Sequence, residues 1–364
     1  MKEVYIISLY SPEWWSGIEK VVNEVSKAIA NTDTIKCTCI FSWKENLRYL
    51  KNNVNYIQVG VPQYPWINHF FFMLKLWNIL KNNKIDVLLD NIWASAFYLL
   101  FHKKHFKLIP ILHWTWKDYH KLAKYFHFKN IVEKLKYYAY SRFNLQCWNI
   151  IIRKSDKIIT LSKYLAEDIN KYNKIEMDNI KIIYNWYDKT NIKLLNNTNW
   201  KLDVLFISND HARKWIDILE NVAKSYIHNK KVNFYVIWKL YESALINIHS
   251  LWKMARKDLY KLMAKSDIIF LPSYCEWQPL VIFEAMWLWC IPIISKECHM
   301  DMLEWTIFEK NISINNKVSD YIRIISKILQ SENINIIRKK SQTIINKYDW
   351  EKQAREYKNF IESI

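Results

Sequence analysis

Residues 266–295 read SDIIFLPSYCEWQPLVIFEAMWLWCIPIIS. Ile268–Leu271 and Ile291–Ile294 are short apolar runs bounded by turn residues, the pattern of strands buried on both faces of a parallel sheet. Between them lie a Pro272-Ser273 turn and an apolar segment around Phe283–Met286, so the stretch reads strand, loop, helix, strand. Two carboxylates, Glu276 and Glu284, stand eight positions apart, an offset that brings side chains near one helical face. Pro279 between them points instead to a loop leading into a helix.

The same alternation extends in both directions. Toward the N-terminus, Val4–Leu9 reads as a buried first strand, SPEWWSG as a turn, and Ile18–Ile29 as a helix with Val21, Val22, Val25 and Ile29 on one face. Strands are expected at Cys37–Phe41, Val87–Leu89, Lys107–Leu112, Lys157–Leu161 and Ile180–Tyr184. After the polar stretch Asn191–Lys201 the pattern restarts, with strands at Asp203–Ile207, Asn233–Ile237, Ile246–Ile248 and the two runs quoted above. Asp349–Ile364 reads as a charged amphipathic helix. The fold class is therefore α/β, with two doubly wound, Rossmann-like domains facing a central cleft, where ligands commonly bind. The expected domains are 1–188 and 189–345, with residues 346–364 a helix packing back on the first.

Composition narrows the class. The chain has 364 residues, 51% hydrophobic and 24% charged, as for a globular protein. Its most apolar stretch, Tyr64–Leu80, is interrupted by Asn68, His69 and Lys75, so no spanning helix is expected. The N-terminus MKEVYIISLY carries no signal-peptide pattern, which implies a cytoplasmic protein. Six cysteines without CxxC or zinc spacing read as reduced thiols, and no metal site is expected. A net charge of +18 favours anionic partners, but the lysines are spread and no nucleic-acid motif accompanies them, so no nucleic-acid partner is expected. One feature is anomalous. Average usage of about 7% glycine predicts roughly 25 in such a chain, yet there are two, Gly17 and Gly60, against 19 tryptophans. Doubly wound folds need glycine at tight turns and phosphate loops.

The quoted stretch resembles the donor-site signature of family 4 retaining glycosyltransferases, which have the GT-B fold. Pro272, Ser273, Glu276, Glu284, Ala285, Met286 and Pro292 match that signature, while Trp277, Trp287 and Trp289 stand where small residues, usually glycine, are expected. Further resemblances follow in order. Ser11–Gly17 resembles the first glycine-rich loop with Trp14 and Trp15 at its glycine pair, and Tyr184–Asp188 resembles an Asn-Gly-x-Asp with Trp186 at the glycine. Lys214–Asp217 resembles a Lys-Gly-x-Asp with Trp215 at the glycine, and Trp238 ends a strand usually followed by glycine. Trp114, Trp200 and Trp252 are further cases, whereas Trp350 resembles a tryptophan the family tends to carry. One reading joins these departures: the source reads UGA as glycine, and the chain is a translation with UGA as tryptophan. The other is a real tryptophan-rich protein, in which an indole would fill a loop meant for a diphosphate.

The resemblance implies a retaining transfer of a hexose from a nucleotide-diphosphate sugar to a glycan or lipid-linked acceptor in cell-envelope polysaccharide synthesis, with no cofactor beyond the donor. Lys214 is then the clamp on the departing diphosphate, where negative charge develops. Arg213 would assist, because Asn209 stands at the family's usual arginine. Glu284 would take the donor ribose hydroxyls, since one carboxylate accepts two such bonds. Glu276 would lie by the transferred sugar. Gln278 and Leu280 would offer backbone N–H groups at a helix start. His113 would reach the donor sugar, Ser162 would lie near the cleft, and Trp14, Trp15 and Gly17 would form the loop approaching phosphate and acceptor. The basic surface would suit peripheral work at an anionic inner membrane face. Competing readings are a catalytically inactive GT-B scaffold binding sugar, nucleotide or protein, and a basic membrane- or nucleic-acid-binding protein resting on charge alone.

Overall fold

Apolar runs too short for helices have one way to bury both faces, which is to pair inside a sheet covered on each side. In the computed structural model all four residues of Ile268–Leu271, and all four of Val87–Asp90, are buried in this way. The structure describes residues 1–12, 17–64, 67–115, 130–194, 196, 201–208, 214–237, 241–252 and 254–364. The chain divides into two units: the described residues from Met1 to Ile183 with Glu351–Ile364, and Tyr184–Trp350.

The first unit runs β1 (Lys2–Ile7), α1 (Gly17–Ala30), β2 (Ile35–Trp43), β3 (Leu47–Lys51), β4 (Val54–Gly60), α2 (Ile67–Asn82), β5 (Val87–Asp90), α3 (Ala96–Phe101), β6 (Lys107–Leu112), α4 (Ile131–Lys154), β7 (Ile158–Thr160), α5 (Lys163–Asn173) and β8 (Ile180–Ile182). Its sheet has the order β3-β4-β2-β1-β5-β6-β7-β8, parallel except where β3 pairs antiparallel with β4. α1 buries Val21, Val22, Val25 and Ile29, the face its spacing predicts. The β3–β4 hairpin escaped the sequence reading. Its signal was there: Asn52 and Asn53 both have positive φ (52° and 60°), as a two-residue hairpin turn demands, and Tyr49 stacks on Tyr56 across it at 4.9 Å. A Cβ on Gly60, at the end of β4, would sit 3.0 Å from the Glu45 backbone, so any larger residue here would have to displace that backbone by a few tenths of an ångström.

The second unit runs β9 (Leu202–Ile207), α6 (Ile216–Ser225), β10 (Val232–Ile237), β11 (Ile248–Leu251), α7 (Arg256–Lys265), β12 (Ile268–Leu271), α8 (Leu280–Trp287), β13 (Ile291–Ser295), β14 (Ile312–Ser313), α9 (Val318–Leu329) and α10 (Ile334–Ile345). Its sheet is parallel, in the order β11-β10-β9-β12-β13-β14. The expected strand at Ile246–Ile248 begins only at Ile248. The division falls before Tyr184 rather than after Asp188, because this segment is fastened to the second unit. Tyr187 stacks on Trp287 at 4.5 Å, and Asn185 bonds to Gln278.

The last helix, α11 (Trp350–Glu362), returns from the second unit to the first. Within the first unit it buries Tyr357 and Ile361, and Lys2 donates to the Ile361 carbonyl at 3.0 Å. All six cysteines are buried and none forms a disulfide, and burial pushes Cys39 and Cys298 up to about 12, so their thiols stay protonated.

Among the described residues ten non-glycine positions have positive φ and four of these are tryptophan, Trp93 (50°), Trp215 (43°), Trp289 (73°) and Trp305 (61°), whereas no described glycine has positive φ. For a bulky L-residue this conformation is disfavoured by roughly 1–2 kcal/mol, so these are positions that glycine suits. Trp215 and Trp289 were named from sequence; Trp93 and Trp305 were not. Trp186, Trp277 and Trp287 have no positive φ, and the left-handed residue of the 272–279 loop is Gln278 (52°).

Candidate functional site

Each sheet has one place where the chain reverses its direction of growth. In the second unit β9 leads outward to β10 and β11, and the chain then returns to place β12 on the other side of β9. Crevices outside the carboxyl ends of such strands are where doubly wound folds bind ligands. At the switch point of this sheet the segments that carry Lys214 and Glu276 follow the ends of β9 and β12.

Lys214 Nζ lies 3.6 Å from Glu276 Oε1 and 3.3 Å from the Ile207 carbonyl, with both side chains about nine-tenths buried. A pair this enclosed is held by mutual attraction, and removing one partner strands the other. Ser273, fully buried just beyond β12, carries a hydroxyl with no hydrogen-bond partner among the described residues. The loop is shaped by backbone bonds: Glu276 N–H donates to the Glu297 carbonyl (2.9 Å) and Gln278 N–H to the Cys298 carbonyl (3.1 Å). This corrects one expectation. The Gln278 N–H is engaged inside the protein rather than offered to a ligand. Gln278 is instead an internal tie, accepting from Asn185 N–H through Oε1 (3.1 Å), accepting from Asn185 Nδ2 through its carbonyl (2.7 Å), and donating to Asp301 (3.1 Å).

Glu284 lies on α8, which opens at Leu280 after Pro279, so the two glutamates do not share a helix. Its Oε1 accepts from Arg256 Nη2 (2.5 Å) and from the Tyr260 hydroxyl (2.9 Å), and Arg256 also reaches Asp188 (3.2 Å). Arg256 and Tyr260 sit four residues apart on α7, one face of one helix. Neither was anticipated, and nothing in their local sequence marks them. Asp188 was in a quoted motif but had no role assigned.

In the first unit His113 follows β6, is buried, and lies 3.1 Å from Asn91; burial pushes it down to about 4. Ser162 is the N-cap of α5, its hydroxyl accepting from Leu165 N–H at 3.1 Å, a structural duty. Gly17 opens α1 and is exposed. Trp14, Trp15, Asn209, Arg213, Trp200 and Trp238 lie outside the described residues. Trp215 stands directly after Lys214, at the start of α6, with left-handed backbone (φ 43°).

The family model of Glycosyltransferase Family 4 matches residues 15–191. No curated protein matches the sequence. Among solved structures, the chain is similar to a sucrose-phosphate synthase from Thermosynechococcus elongatus (TM-score 0.79, 13% identity, covering 100% of this chain and 99% of that one). It is similar also to the lipopolysaccharide outer core galactosyltransferase WaaB (TM-score 0.71, 15% identity, 100% and 99% covered). A third is the Anabaena protein HepE in complex with UDP-glucose (TM-score 0.70, 13% identity, 100% of each chain covered). These findings define the fold class: GT-B, two parallel-sheet Rossmann-like units. Within the class it resembles family 4.

Proposed function

We propose that this chain moves a hexose from a nucleotide-diphosphate sugar to a glycan or lipid-linked acceptor, with retention at the anomeric carbon, in cell-envelope polysaccharide synthesis. The observation that carries the reading is the Lys214–Glu276 pair at the switch point of the second sheet. As the bond from the anomeric carbon to the diphosphate oxygen breaks, the Lys214 ammonium stabilises the charge gathering on the leaving group. The acceptor hydroxyl forms the new bond on the same face and passes its proton to the departing phosphate oxygen. Glu276 lies by the transferred sugar, and Glu284, held by Arg256 and Tyr260, takes the ribose hydroxyls. No metal enters this scheme. The HepE complex with UDP-glucose supports a nucleotide sugar as donor.

The native polypeptide, in this reading, carries glycine at Trp14, Trp15, Trp215, Trp289 and the other family glycine positions. Support comes from the left-handed backbone at Trp215 and Trp289. Peptide mass spectrometry of protein from its native source tests this directly. A real Trp215 beside Lys214 would favour the second reading, an inactive scaffold that binds sugar, nucleotide or protein.

The chain is also proposed to work on the cytoplasmic face of an anionic membrane, which would bring it to a lipid-linked acceptor. On the first unit Ile67, Phe70 and Phe71 of α2 and Leu100 and Phe101 of α3 are exposed, joined through Phe97 and Trp77 by ring contacts of 5.2–6.2 Å. A net charge of +18 adds attraction to anionic lipid. Among the described residues no helix is long and apolar enough to cross a membrane.

The deciding experiment pairs thermal shift with transfer assays, using UDP-, ADP- and GDP-sugars and the glycine-restored protein. Donor-dependent stabilisation with sugar transfer is the expected result. Stabilisation without turnover would leave the scaffold reading, and neither effect with any donor would end the transferase reading.

A further inference from the structure

In the first unit the chain adds β2 and β4 on one side of β1 and then returns to place β5 on the other, so its switch point lies outside the ends of β1 and β5. One side chain ties these two strand ends together. Asn91, directly after β5 and 1% exposed, donates through Nδ2 to the carbonyl of Ile7, the last residue of β1, at 3.1 Å. Its Oδ1 lies 3.1 Å from Nε2 of His113, directly after β6.

The donor–acceptor logic of this chain of bonds has one solution. A backbone carbonyl only accepts, so the bond to Ile7 settles which end of the Asn91 amide is nitrogen. The other end is then an oxygen that also only accepts, and the hydrogen between Asn91 and His113 must be on His113 Nε2. Burial pushes the His113 ring down to about 4, so near neutrality it carries a single proton. That leaves Nδ1 as an acceptor. The loop presenting Asn91 is itself rigidly built: the buried Asp90 carboxylate accepts from the N–H groups of Ile92 (3.0 Å), Ala94 (3.2 Å) and Ser95 (2.9 Å), and from the Ser95 hydroxyl (2.6 Å). Ser8, fully buried just past β1, carries a hydroxyl without a hydrogen-bond partner among the described residues, so polar capacity remains unspent at this strand end.

We propose that Asn91 is a positioning residue that locks His113 in the Nε2–H tautomer, so that Nδ1 accepts a hydrogen bond from a hydroxyl of the sugar substrate. The proposal rests on the glycosyltransferase reading for the identity of that ligand, but the tautomer lock does not. His113 is then a fixed acceptor for substrate and no general acid. The opposite tautomer would present N–H at Nδ1 and favour a different partner atom.

The test is two-bond 1H–15N correlation spectroscopy on the full-length protein labelled with ring-15N histidine, the His113 signals being assigned by their loss in His113→Gln. At about pH 7.5 and without ligand, wild type should show the Nε2–H pattern. Neutral imidazole in water is a mixture in which Nε2–H already predominates. Asn91→Leu, which removes the acceptor, should therefore admit a detectable Nδ1–H population, and Asn91→Asp, which keeps an acceptor there, should retain hydrogen on Nε2 alone. An Nδ1–H pattern in wild type overturns the proposal whether or not any variant folds, as does an unchanged pattern in folded Asn91→Leu. A second arm reads steady-state kinetics: loss of one directed hydrogen bond predicts about a tenfold rise in sugar-donor KM for Asn91→Leu with kcat little changed, partly rescued in Asn91→Asp. An unaltered KM with an altered tautomer would overturn the substrate role. A locked tautomer in a protein that turns over no nucleotide sugar would instead count against the proposed function.

Discussion

His69 and His113 are both buried, and burial pushes each down to about 4. Since the unfolded chain binds their protons near the ordinary histidine value of about 6.5, the unfolded state is the more protonated one between those limits. Stability contributed by the neutral rings is therefore full above about pH 6.5 and is lost as the pH falls toward 4. Asp90 and Glu19, which burial raises, act in the opposite sense at the acid end. Denaturant midpoints measured from about pH 7.5 down to 4.5 should fall more gently in His69→Gln and in His113→Gln than in wild type; a slope unaltered by either change would refute the assignment. At the site, Lys214→Met should lower kcat by about 10²–10³-fold, the usual cost of losing one preorganised charge-stabilising group. Glu284→Gln should chiefly raise the donor KM, because its partners Arg256 and Tyr260 hold it in the ground state. Kinetics in which Lys214→Met retains wild-type kcat would remove the clamp from the mechanism.

At the scale of single elements, turns decide more than strands do. Trp305 has φ 61° and is 93% exposed, so it combines left-handed strain with little packing to lose. Trp305→Gly is expected to raise stability by about 1 kcal/mol, seen as a higher denaturation midpoint at constant slope. A lowered midpoint would show that the indole contributes contacts. Trp289 makes a sharper contrast. It shares the left-handed backbone, but its Nε1 donates to Gln342 at 3.0 Å and Lys339 stands over its ring. Its replacement should therefore gain less. In the last helix the Tyr357 hydroxyl is buried without a partner among the described residues. Tyr357→Phe should be neutral or stabilising, whereas Tyr357→Ala should cost about 3–5 kcal/mol.

For the whole molecule, the exposed apolar residues of α2 and α3 together with the net charge of +18 predict sedimentation with phosphatidylglycerol-containing vesicles at low salt. Phe70→Ser with Phe101→Ser should reduce it by roughly tenfold at unchanged melting temperature. Protein that stays in the supernatant would end the membrane reading. The fold's plan was legible because buried parallel strands write themselves as local apolar runs. Lys107–Leu112 and Ile268–Leu271 were read to the residue, and others to within two or three. The β3–β4 hairpin was missed because β3 is almost wholly exposed and β4 interleaves buried with half-buried positions, so neither carries such a run. Glu276, Glu284 and Lys214 stood out as site candidates because their motifs are contiguous. Which side chains meet is another matter. Arg256 reaches Glu284 across 28 positions and Asp188 across 68, and Asn91 meets His113 across 22. By itself the sequence determined the α/β alternation, the two-unit plan and the positions of the motifs that resemble family 4, all consequences of local pattern. Only the tertiary structure decided which backbone positions are left-handed, that the Gln278 N–H is engaged internally, and that Asn91 meets His113. Those depend on directional bonds between groups distant in sequence, and no local pattern encodes them.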